Sequence, residues 1–512
     1  MDRTLFHRVY DAGHLIEEVP FCDPLALFAP LATDPFALFL DSATAGPTHD
    51  PDKQGRWSYI AADPFATLVK KQDTAYLNNV SIDGTGFDLL AHQLHEFALP
   101  ADWSEDKSLP PFTGGLAGFF GYELGRELEK HPARKPWSLP ERTGTSTHPE
   151  GTSTPPDIVL GAYDCVIAFD CINRRTFIVS TGLPKTSATA RAVRAEARAA
   201  KWRARLALNP ALPPLHWPSE AAPENVVRST TTRTTYEALV ARTVDYIHAG
   251  DIFQANLSQR FEADLQNRDD AFTLYRRLRE ISPAPFAGFF NFESGAILSS
   301  SPERFLQSDG RTVQTKPIKG TRPRGTTVAD DKALATELLA SDKDRAENTM
   351  IVDLLRNDLS RVCEDGSVRV PHLCELESFA TVHHLVSTVT ATLKSSMNNV
   401  DLLRASFPGG SITGAPKIRA MQIISELEDN ARGPYCGSLG FLSFDGKMDT
   451  NISIRTITVM EGRATFQAGG GIVADSNPVE EYEETLTKAA ALSDAIRAQR
   501  PLLHQSTKMD QA

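Results

Sequence analysis

The first part of the chain places short apolar runs between turn residues. The runs PLALFAP, PFALFLDS and RWSYIAADPFATLV lie within residues 1 to about 130, and DIVLGAYDCVIAFDCINRRTFIVST begins at residue 157. Short apolar runs that end at turn residues are typical of β-strands. This part is therefore predicted to be mostly strands, with one helix around residues 87–97.

The second half alternates longer helical patterns with strand-like segments. Residues 234–237 read TTYE, the form of a capping box, and predict a helix that ends before Gly250. Two further helices are predicted where Ser341 and Asn477 can act as N-caps. The segments FQANLSQRFEADL and ATVHHLVSTVT between them are predicted strands. The fold class is therefore a mixed α/β protein.

Composition excludes several classes of function. The 512 residues carry a formal net charge of −12, whereas a general nucleic-acid binder needs a basic face. The first residues, MDRTLFHRVYDAGHLIEEVP, lack the apolar core of a signal peptide, and no apolar run reaches the roughly 20 residues that span a bilayer. We therefore expect a cytoplasmic protein without nucleic-acid or membrane partners. The six cysteines form no CxxC pair, which argues against a zinc site.

Local composition divides the chain into segments. Residues 129–157 are rich in proline, threonine and charge, and residues 209–224 are rich in proline. The predicted segments are an N-terminal region at 1–128, a flexible insertion at 129–157, a continuation of the N-terminal region at 158–208, a linker at 209–230, a C-terminal domain at 231–498 and a tail at 499–512.

Carboxylates recur on two of the predicted helices. Asp344 and Glu347 lie three residues apart, while Glu481, Glu484 and Lys488 follow one helical face. Two helices that each offer carboxylates can hold a hard divalent cation such as Mg²⁺. Clustered glutamates are more often solvated or paired in salt bridges, so both interpretations stay open at this point.

Other candidate groups are equally ambiguous when taken singly. The glycine-containing stretches FPGGSITGAPK and FQAGGGIVADS are predicted tight turns that could also bind an anion, although neither matches a nucleotide-binding fingerprint. His383 and His384 are adjacent in a predicted strand, so only one can face a site. Arg455 is a lone cation in a predicted apolar strand and should meet a carboxylate of the protein or of a ligand.

The stretch KPIKGTRPRG at residues 316–325 concentrates positive charge. It holds two lysines and two arginines in ten positions. Lys319 could be a solvated loop charge, a phosphate clamp or a reactive amine. The acidic chain and the absence of a P-loop motif disfavour phosphate binding.

Taken together, the motifs resemble a known family. The strings GDIFQANLSQRF, SSSPERFL, PIKGTRPRG, AENTMIVDLLRNDLSRVC, VHHLVSTV, FPGGSITGAPKIRAM, YCGSLGF, NISIRT, AGGGIVADS and EYEETLTKAAAL are similar to those of chorismate-binding enzymes. That family includes anthranilate synthase component I, aminodeoxychorismate synthase component I, isochorismate synthases and salicylate synthases. The resemblance implies an α/β (α+β) sandwich of two intertwined halves, with antiparallel-rich sheets inside and helices outside. It makes residues 231–498 the catalytic domain.

The resemblance also implies roles for individual residues. Gln254 stands where water-adding relatives carry a lysine base, which argues against water as the nucleophile. The implied catalytic residues are Lys319, Glu303, His384 and Thr413; the implied substrate-binding residues are Arg455, Tyr435, Gly470, Gly471, Lys488 and Gln254; the implied Mg²⁺ ligands are Glu347, Glu484 and the neighbouring Glu481.

Lys319 favours one branch of the family. Aminodeoxychorismate synthases typically read PIKGT here, and anthranilate synthases PIAGT. The resemblance implies that Lys319 attacks C2 of chorismate and expels the C4 hydroxyl, after which ammonia adds at C4 and expels the lysine. The expected product is 4-amino-4-deoxychorismate, a precursor of 4-aminobenzoate and folate. The alternative activity is that of anthranilate synthase component I.

Two further expectations concern partners. The chain shows no glutamine-hydrolysing GxCxGxQ signature, so ammonia is expected from a glutamine amidotransferase subunit. Some relatives bind tryptophan in the N-terminal half, where FALFLDSA and RWSYIAADP, with Ser42 and Trp57, would supply the walls of a pocket. These segments could equally be ordinary core strands. A non-catalytic chorismate or tryptophan sensor is disfavoured because the expected catalytic positions are filled.

Overall fold

The computed structural model describes most of the chain. The predicted insertion at 129–157 falls mostly, and the tail at 499–512 wholly, outside the described residues. The described ranges are 6–9, 13–43, 55–100, 103, 109–129, 135, 137, 154–218, 222–223, 226–265, 271–379 and 382–498.

The helices lie mainly in the second half of the chain. Their bounds in the described ranges are α1 Pro24–Phe28, α2 Gly86–Glu96, α3 Ala188–Ala207, α4 Arg233–His248, α5 Ala271–Ile281, α6 Val328–Ala340, α7 Asp342–Ser360, α8 Asn399–Ser406, α9 Lys417–Leu427 and α10 Pro478–Ile496. Short 3₁₀ helices occupy Ala29–Leu31, Tyr122–Glu127 and Gly410–Ile412.

Two large sheets contain the strands. Among the described residues the first sheet has 13 strands and the second has 12. The first contains β1 Phe6–Val9, β2 Leu15–Val19, β3 Leu38–Asp41, β4 Trp57–Ala61, β10 Cys165–Asp170, β11 Arg175–Ser180, β12 Arg228–Ser229, β13 Gln254–Asp264, β14 Phe286–Asn291, β15 Gly295–Ser301, β21 Gly414–Ala415, β24 Thr456–Met460 and β25 Arg463–Ile472. The second contains β5 Ala66–Lys71, β6 Thr74–Leu77, β7 Val80–Ile82, β8 Gly115–Phe120, β9 Ile158–Tyr163, β16 Arg304–Ser308, β17 Thr312–Lys316, β18 Ile318–Pro323, β19 Arg369–Ser378, β20 Val382–Thr392, β22 Ser438–Ser443 and β23 Met448–Asn451.

Both sheets combine strands from the two halves of the chain. In the first sheet the order is β1-β2-β11-β10-β4-β3-β14-β15-β24-β25-β13-β12, and β3 pairs with β14. In the second the order is β18-β20-β17-β16-β23-β22-β8-β9-β5-β6-β7, and β8 pairs with β22. The pairings are antiparallel throughout the described strands. The expected sandwich of intertwined halves with antiparallel sheets is confirmed.

Strand β14 shows how the layers pack. Phe290 points into the space between the sheets, where its ring lies 6.3 Å from that of Phe119 on β8. Its neighbour Phe289 points to the opposite face, where Phe28 of α1 lies 5.6 Å away. This alternation is the normal consequence of the strand's two-residue period. Helices α1, α5 and α10 cover the outer face of the first sheet, as expected for a sandwich with helices outside.

Three local predictions were wrong in detail. Helix α4 begins earlier than predicted, because Thr232 is its N-cap and accepts the N–H of Thr235 at 3.2 Å. The glycines of AGGG lie inside strand β25 rather than in a turn. Arg455 lies just before β24 with φ of 49°, outside any strand.

The predicted helix starts at Ser341 and Asn477 are confirmed. Ser341 accepts the N–H of Asp344 at 3.2 Å, and Asn477 accepts that of Val479 at 2.9 Å. Across the described ranges, none of the helices has the length and hydropathy needed to cross a bilayer.

Candidate active site

A β-bulge presents Lys319. Strand β18 pairs with β20 at Ile318 opposite Val386 and then at Thr321 opposite His384, so β18 has one extra residue. A bulge of this kind takes a side chain out of the regular alternation of a strand. Gly320 supports it with φ of +87°, a conformation that strongly favours glycine.

Lys319 meets Gln254 beside the backbone of β25. A Cβ added to Gly471 would lie 1.9 Å from Gln254 Nε2 and 3.4 Å from Lys319 Nζ, so a side chain at this position would displace the amide of Gln254. Gln254 is 1% exposed, and within the described structure neither its Nε2 nor its Oε1 has a hydrogen-bond partner. Leaving a buried amide unpaired is costly, so this amide is suited to a ligand.

The environment of Lys319 increases the share of its neutral form. Burial lowers the pKa of the Lys319 ammonium, and the positive charge of Lys488 acts in the same direction. The carboxylates of Glu347, Glu303 and Glu484 oppose this shift without cancelling it. The neutral amine is the nucleophilic form of lysine, so the site increases its reactivity.

Glu303 lies close to this amine and is buried. Burial raises the pKa of its carboxyl to about 7, although a hydrogen bond from Ser411, the charge of Lys319 and the N–H of Ile318 lower it. A carboxyl with such a pKa can hold a proton at neutral pH and donate it to a leaving group.

Ser411, in the same loop as the predicted Thr413, lies close enough to this acid to lower its pKa. The hydroxyl of Thr413 donates to the carbonyl oxygen of Gly409 at 3.0 Å and so is directed at its own loop. Sequence reasoning missed Ser411, although it lies in the same GSITG motif. The sequence alone does not show which of the two hydroxyls, that of Ser411 or that of Thr413, points towards Glu303, because this depends on the local backbone.

The two adjacent histidines point in opposite directions. His384 Nδ1 lies 2.9 Å from Thr321 Oγ1 on the strand that carries Lys319. Burial lowers the pKa of His384 to about 3, and the charge of Arg455 adds to this, so the ring is neutral at physiological pH. His383 instead bonds Asp331 and Ser378, through Nε2 at 2.9 Å and Nδ1 at 2.8 Å.

Arg455 is close enough to His384 to affect its charge, and it is partly buried. Within the described ranges no carboxylate forms an ion pair with its guanidinium, and burial lowers its pKa. The interpretation that a protein carboxylate neutralises it is therefore wrong for the described residues. Tyr435, another predicted substrate-binding residue, lies with its ring 5.8 Å from the guanidinium carbon of Arg432.

The carboxylates of Glu481 and Glu484 lie against Gly470, the residue before Gly471 on β25. A Cβ on this glycine would lie 2.9 Å from Glu481 Oε2 and 3.4 Å from Glu484 Oε1. Lys488 Nζ lies 2.6 Å from Glu484 Oε1 and donates to the carbonyl oxygen of Gly469 at 2.9 Å. Burial would raise the pKa of Glu484, but Lys488 and other lysines outweigh it and lower that pKa.

A comparison with known protein families identifies the family of this chain. A family model described as chorismate binding enzyme matches residues 48–494. The chain belongs to the chorismate-binding enzyme family.

Within that family, curated relatives with two different names are similar to this chain. Proteins named aminodeoxychorismate synthase component 1 are 41% identical in Klebsiella aerogenes and 42% identical in Salmonella typhimurium strain LT2. Each alignment covers 90% of this chain, with 94% and 93% of the respective relative. An anthranilate synthase component 1 from Synechocystis is 39% identical over 91% of this chain and 92% of its own.

Solved structures of the family share the fold. Anthranilate synthase component I of Streptococcus pneumoniae aligns with a TM-score of 0.71 and 32% identity, covering 86% of this chain and 92% of that one. The menaquinone-specific isochorismate synthase of Escherichia coli aligns with a TM-score of 0.68 at 18% identity, covering 94% and 95%, which shows the fold alone.

The glutamates of this chorismate-binding enzyme partly fit a divalent cation. The described residues contain no group of three acidic, thiol or imidazole side chains that would form a complete metal site. Mg²⁺, however, commonly takes one or two carboxylates and completes its shell with water and substrate oxygens. Burial raises the pKa of Glu347 and of Glu481, and the charge of Glu484 raises both further. A cation between such carboxylates would relieve their repulsion.

The predicted tryptophan pocket coincides with a cavity. Ser42 and Trp57 line a space of about 390 Å³ between the two sheets, together with Tyr59, Arg304 and Asp449. The Ser42 hydroxyl donates to the carbonyl oxygen of Trp57 at 2.6 Å. These strand ends therefore border a cavity as well as the core.

Proposed function

We propose that this chain is the chorismate-aminating component of an aminodeoxychorismate synthase. It would convert chorismate and ammonia to 4-amino-4-deoxychorismate, a precursor of 4-aminobenzoate and folate. The observation that carries the proposal is the position of Lys319, whose amine lies beside the unpaired amide of Gln254 and next to the acid Glu303. The name of the Klebsiella and Salmonella relatives supports the same choice.

The proposed reaction uses Lys319 as a nucleophile. Its neutral amine forms a bond to C2 of chorismate, the ring double bonds shift, and the C4–O bond breaks. Glu303 protonates the departing hydroxide, which leaves as water. Ammonia then forms a bond to C4, the C2–N bond to Lys319 breaks, and the lysine is regenerated. The net change replaces the C4 hydroxyl by an amine with loss of one water.

Arg455 and the glutamates would hold the substrate. Arg455 has no carboxylate partner among the described residues, which suits it to one carboxylate of chorismate. We propose that Glu347 and Glu484, with Glu481 beside them, hold Mg²⁺. When bound, the ion would neutralise the second carboxylate of the substrate.

Ammonia would come from a separate protein. The chain carries no glutamine-hydrolysing signature, and its relatives are named as component 1 of a synthase. We therefore propose a glutamine amidotransferase subunit as the partner in a cytoplasmic complex. Free ammonium should replace this subunit in the test tube.

Product identification tests the proposal. The purified chain, chorismate, ammonium and Mg²⁺ should yield 4-amino-4-deoxychorismate, identified by mass and chromatography. Formation of anthranilate and pyruvate would replace the proposal by its alternative, anthranilate synthase component I. That alternative has the support of the Synechocystis relative at 39% identity.

A second proposal concerns the cavity at Ser42 and Trp57. We propose that it binds tryptophan, since its volume of about 390 Å³ and its mixed aromatic and charged lining suit an aromatic amino acid. Calorimetry should detect tryptophan binding to the intact chain, and a Trp57→Ala variant should weaken it. If tryptophan produced no heat of binding with either protein, the proposed tryptophan site would be rejected.

A further inference from the structure

A buried ion pair lies behind the site and takes no part in the proposed chemistry. Arg432 is 1% exposed and Glu428 is 7% exposed. Arg432 Nε donates to Glu428 Oε2 at 2.9 Å, and Nη2 donates to Glu428 Oε1 at 2.7 Å. The same carboxylate accepts the N–H and the hydroxyl of Ser258, both at 2.8 Å. A buried pair is favourable only when its remaining groups are hydrogen-bonded in this way.

The other donors of Arg432 reach two backbone segments of the site. Nη1 donates to the carbonyl oxygen of Ile412 at 3.0 Å, and Nη2 donates to that of Asn256 at 2.6 Å. Ile412 directly follows Ser411, whose hydroxyl bonds Glu303. Asn256 lies two positions after Gln254 on β13. One guanidinium therefore joins the segment that carries Ser411 to the strand that carries the unpaired amide.

The N-terminal half of the chain fixes the backbone of this arginine. Glu123, in the short helix after β8, accepts the N–H of Arg432 at 2.7 Å and that of Gly433 at 2.8 Å. The N–H of Tyr122 donates to the carbonyl oxygen of Gly433 at 2.7 Å. The Tyr122 ring also lies 4.7 Å from the guanidinium carbon.

We propose that Arg432, clamped by Glu428 and anchored by Glu123, is a positioning residue that sets Ser411 and Gln254 relative to each other. The N-terminal half thereby contributes to catalysis through a hydrogen-bonded connection and not merely as a scaffold. The inference rests on the proposed function only in taking chorismate turnover as the activity. A misplacement of about 1 Å in reacting groups can cost about 100-fold in rate, so a role in positioning is measurable.

The test separates positioning from folding with a pair of variants. Arg432→Met leaves the Glu428 carboxylate buried and unpaired, which should lower the melting temperature as well as the activity. The double variant Arg432→Met/Glu428→Leu removes the buried unpaired charge and should recover part of that stability, although Ser258 loses its acceptor. Because this variant cannot bond the carbonyl oxygens of Ile412 and Asn256, its kcat should stay about 10- to 100-fold low, and KM for chorismate should rise by a smaller factor because the amide of Gln254 is displaced as well. Arg432→Lys keeps one cation and should recover activity in part.

The pH profile provides a readout that a purely structural role would not change. The hydrogen bond from Ser411 lowers the pKa of Glu303, while the other groups facing Glu303 are Lys319, the N–H of Ile318 and Cys436. In the double variant Ser411 should no longer be held against Glu303, so the pKa of Glu303 should rise. The pH above which kcat falls should therefore move to a higher value. Arg198→Met serves as the matched control. It removes a buried arginine paired with Asp164, far from Glu303, and should leave the profile unchanged.

The assay follows the disappearance of chorismate, so the comparison of variants does not depend on the product. A wild-type protein that forms anthranilate would defeat the proposed function but leave the ratio of rates intact. A double variant with wild-type kcat and a wild-type pH profile would show that the pair only stabilises the fold, and would overturn the inference.

Discussion

Two buried polar clusters in this molecule differ in how their hydrogen bonds are used. Around Lys319 the amide of Gln254 has no partner in the described structure, and Arg455 has no carboxylate. Around Arg432, the carboxylate and the guanidinium are bonded to each other and to three backbone groups, those of Ile412 and of Asn256 and Ser258 on β13. An unpaired buried polar group costs roughly 1–3 kcal/mol, so the cluster around Lys319 lowers the stability of the fold whereas the cluster around Arg432 does not.

The contrast separates binding groups from supporting groups. In the proposed function, chorismate would bond the unpaired groups, whereas the paired groups hold the segments that carry them. The same distinction holds within KPIKGTRPRG. Lys316, Arg322 and Arg324 each pair with a carboxylate, at 2.8, 2.8 and 2.7 Å, while the Lys319 amine faces the site.

Replacing the amine should break the first cluster most severely. Lys319→Ala removes the proposed nucleophile, and the loss of such a group costs on the order of 1,000-fold or more in kcat. Single-turnover assays with chorismate and ammonium measure it. Retention of turnover within a few-fold of the wild type would remove the covalent role of this lysine.

Replacing the acid should have the next largest effect and change the pH dependence. Glu303→Gln cannot protonate the leaving hydroxide, which should lower kcat about 100- to 10,000-fold. In the wild type the reactive form is the protonated carboxyl, whose pKa is about 7, so kcat should fall as the pH rises through that value. A rate profile of the wild type between pH 5 and about 9 checks this sign. An increase in kcat over that range would contradict the assignment.

Replacing the unpaired arginine should affect binding more than chemistry. Arg455→Gln loses one charge-assisted contact with a substrate carboxylate, a loss of about 1.5–3 kcal/mol. KM for chorismate should rise roughly 10- to 100-fold, with a smaller change in kcat. Initial rates over a range of chorismate concentrations decide this, and an unchanged KM would place the carboxylate elsewhere.

Replacing a paired cation from KPIKGTRPRG should have the smallest effect on activity. Arg324→Gln removes bonds to the Asp331 oxygens at 2.7 and 2.8 Å on a partly exposed surface. Such pairs contribute about 0.2–1 kcal/mol, so the free energy of unfolding should change little and kcat/KM should not change. Denaturant titration and initial rates measure both. A large loss of activity would show that a salt bridge to a carboxylate does not separate supporting cations such as Arg324 from the proposed reactive cation Lys319.

Sequence reasoning found the elements whose signals are local. Ser341 and Asn477 were identified as N-caps because the residue type and the following apolar period define a helix start. The sandwich of intertwined halves came from the resemblance, since strand order depends on contacts between distant residues. The groups proposed to react, Lys319 and Glu303, were named by motif, and the structure brings their charges close together.

The errors arose where tertiary contacts override local pattern. Arg455 is flanked by apolar residues that resemble a strand, yet its backbone has φ of 49°. Gly471 is predicted in a turn, but it lies in β25, where it pairs with Asn256 of β13. Arg432 carried one usable signal, a glutamate four residues earlier, which by itself is indistinguishable from a surface pair.

The strand pairings between the two halves of the chain also determine when the protein can fold. Strand β3 ends at Asp41 and pairs with β14, and β8 pairs with β22 near residue 440. During synthesis the N-terminal strands must wait for partners made much later, with their edges open to aggregation. Folding should therefore be slow and sensitive to chaperone supply, and a C-terminal fragment expressed alone should aggregate because β14 would lack its neighbour β3 and β22 its neighbour β8.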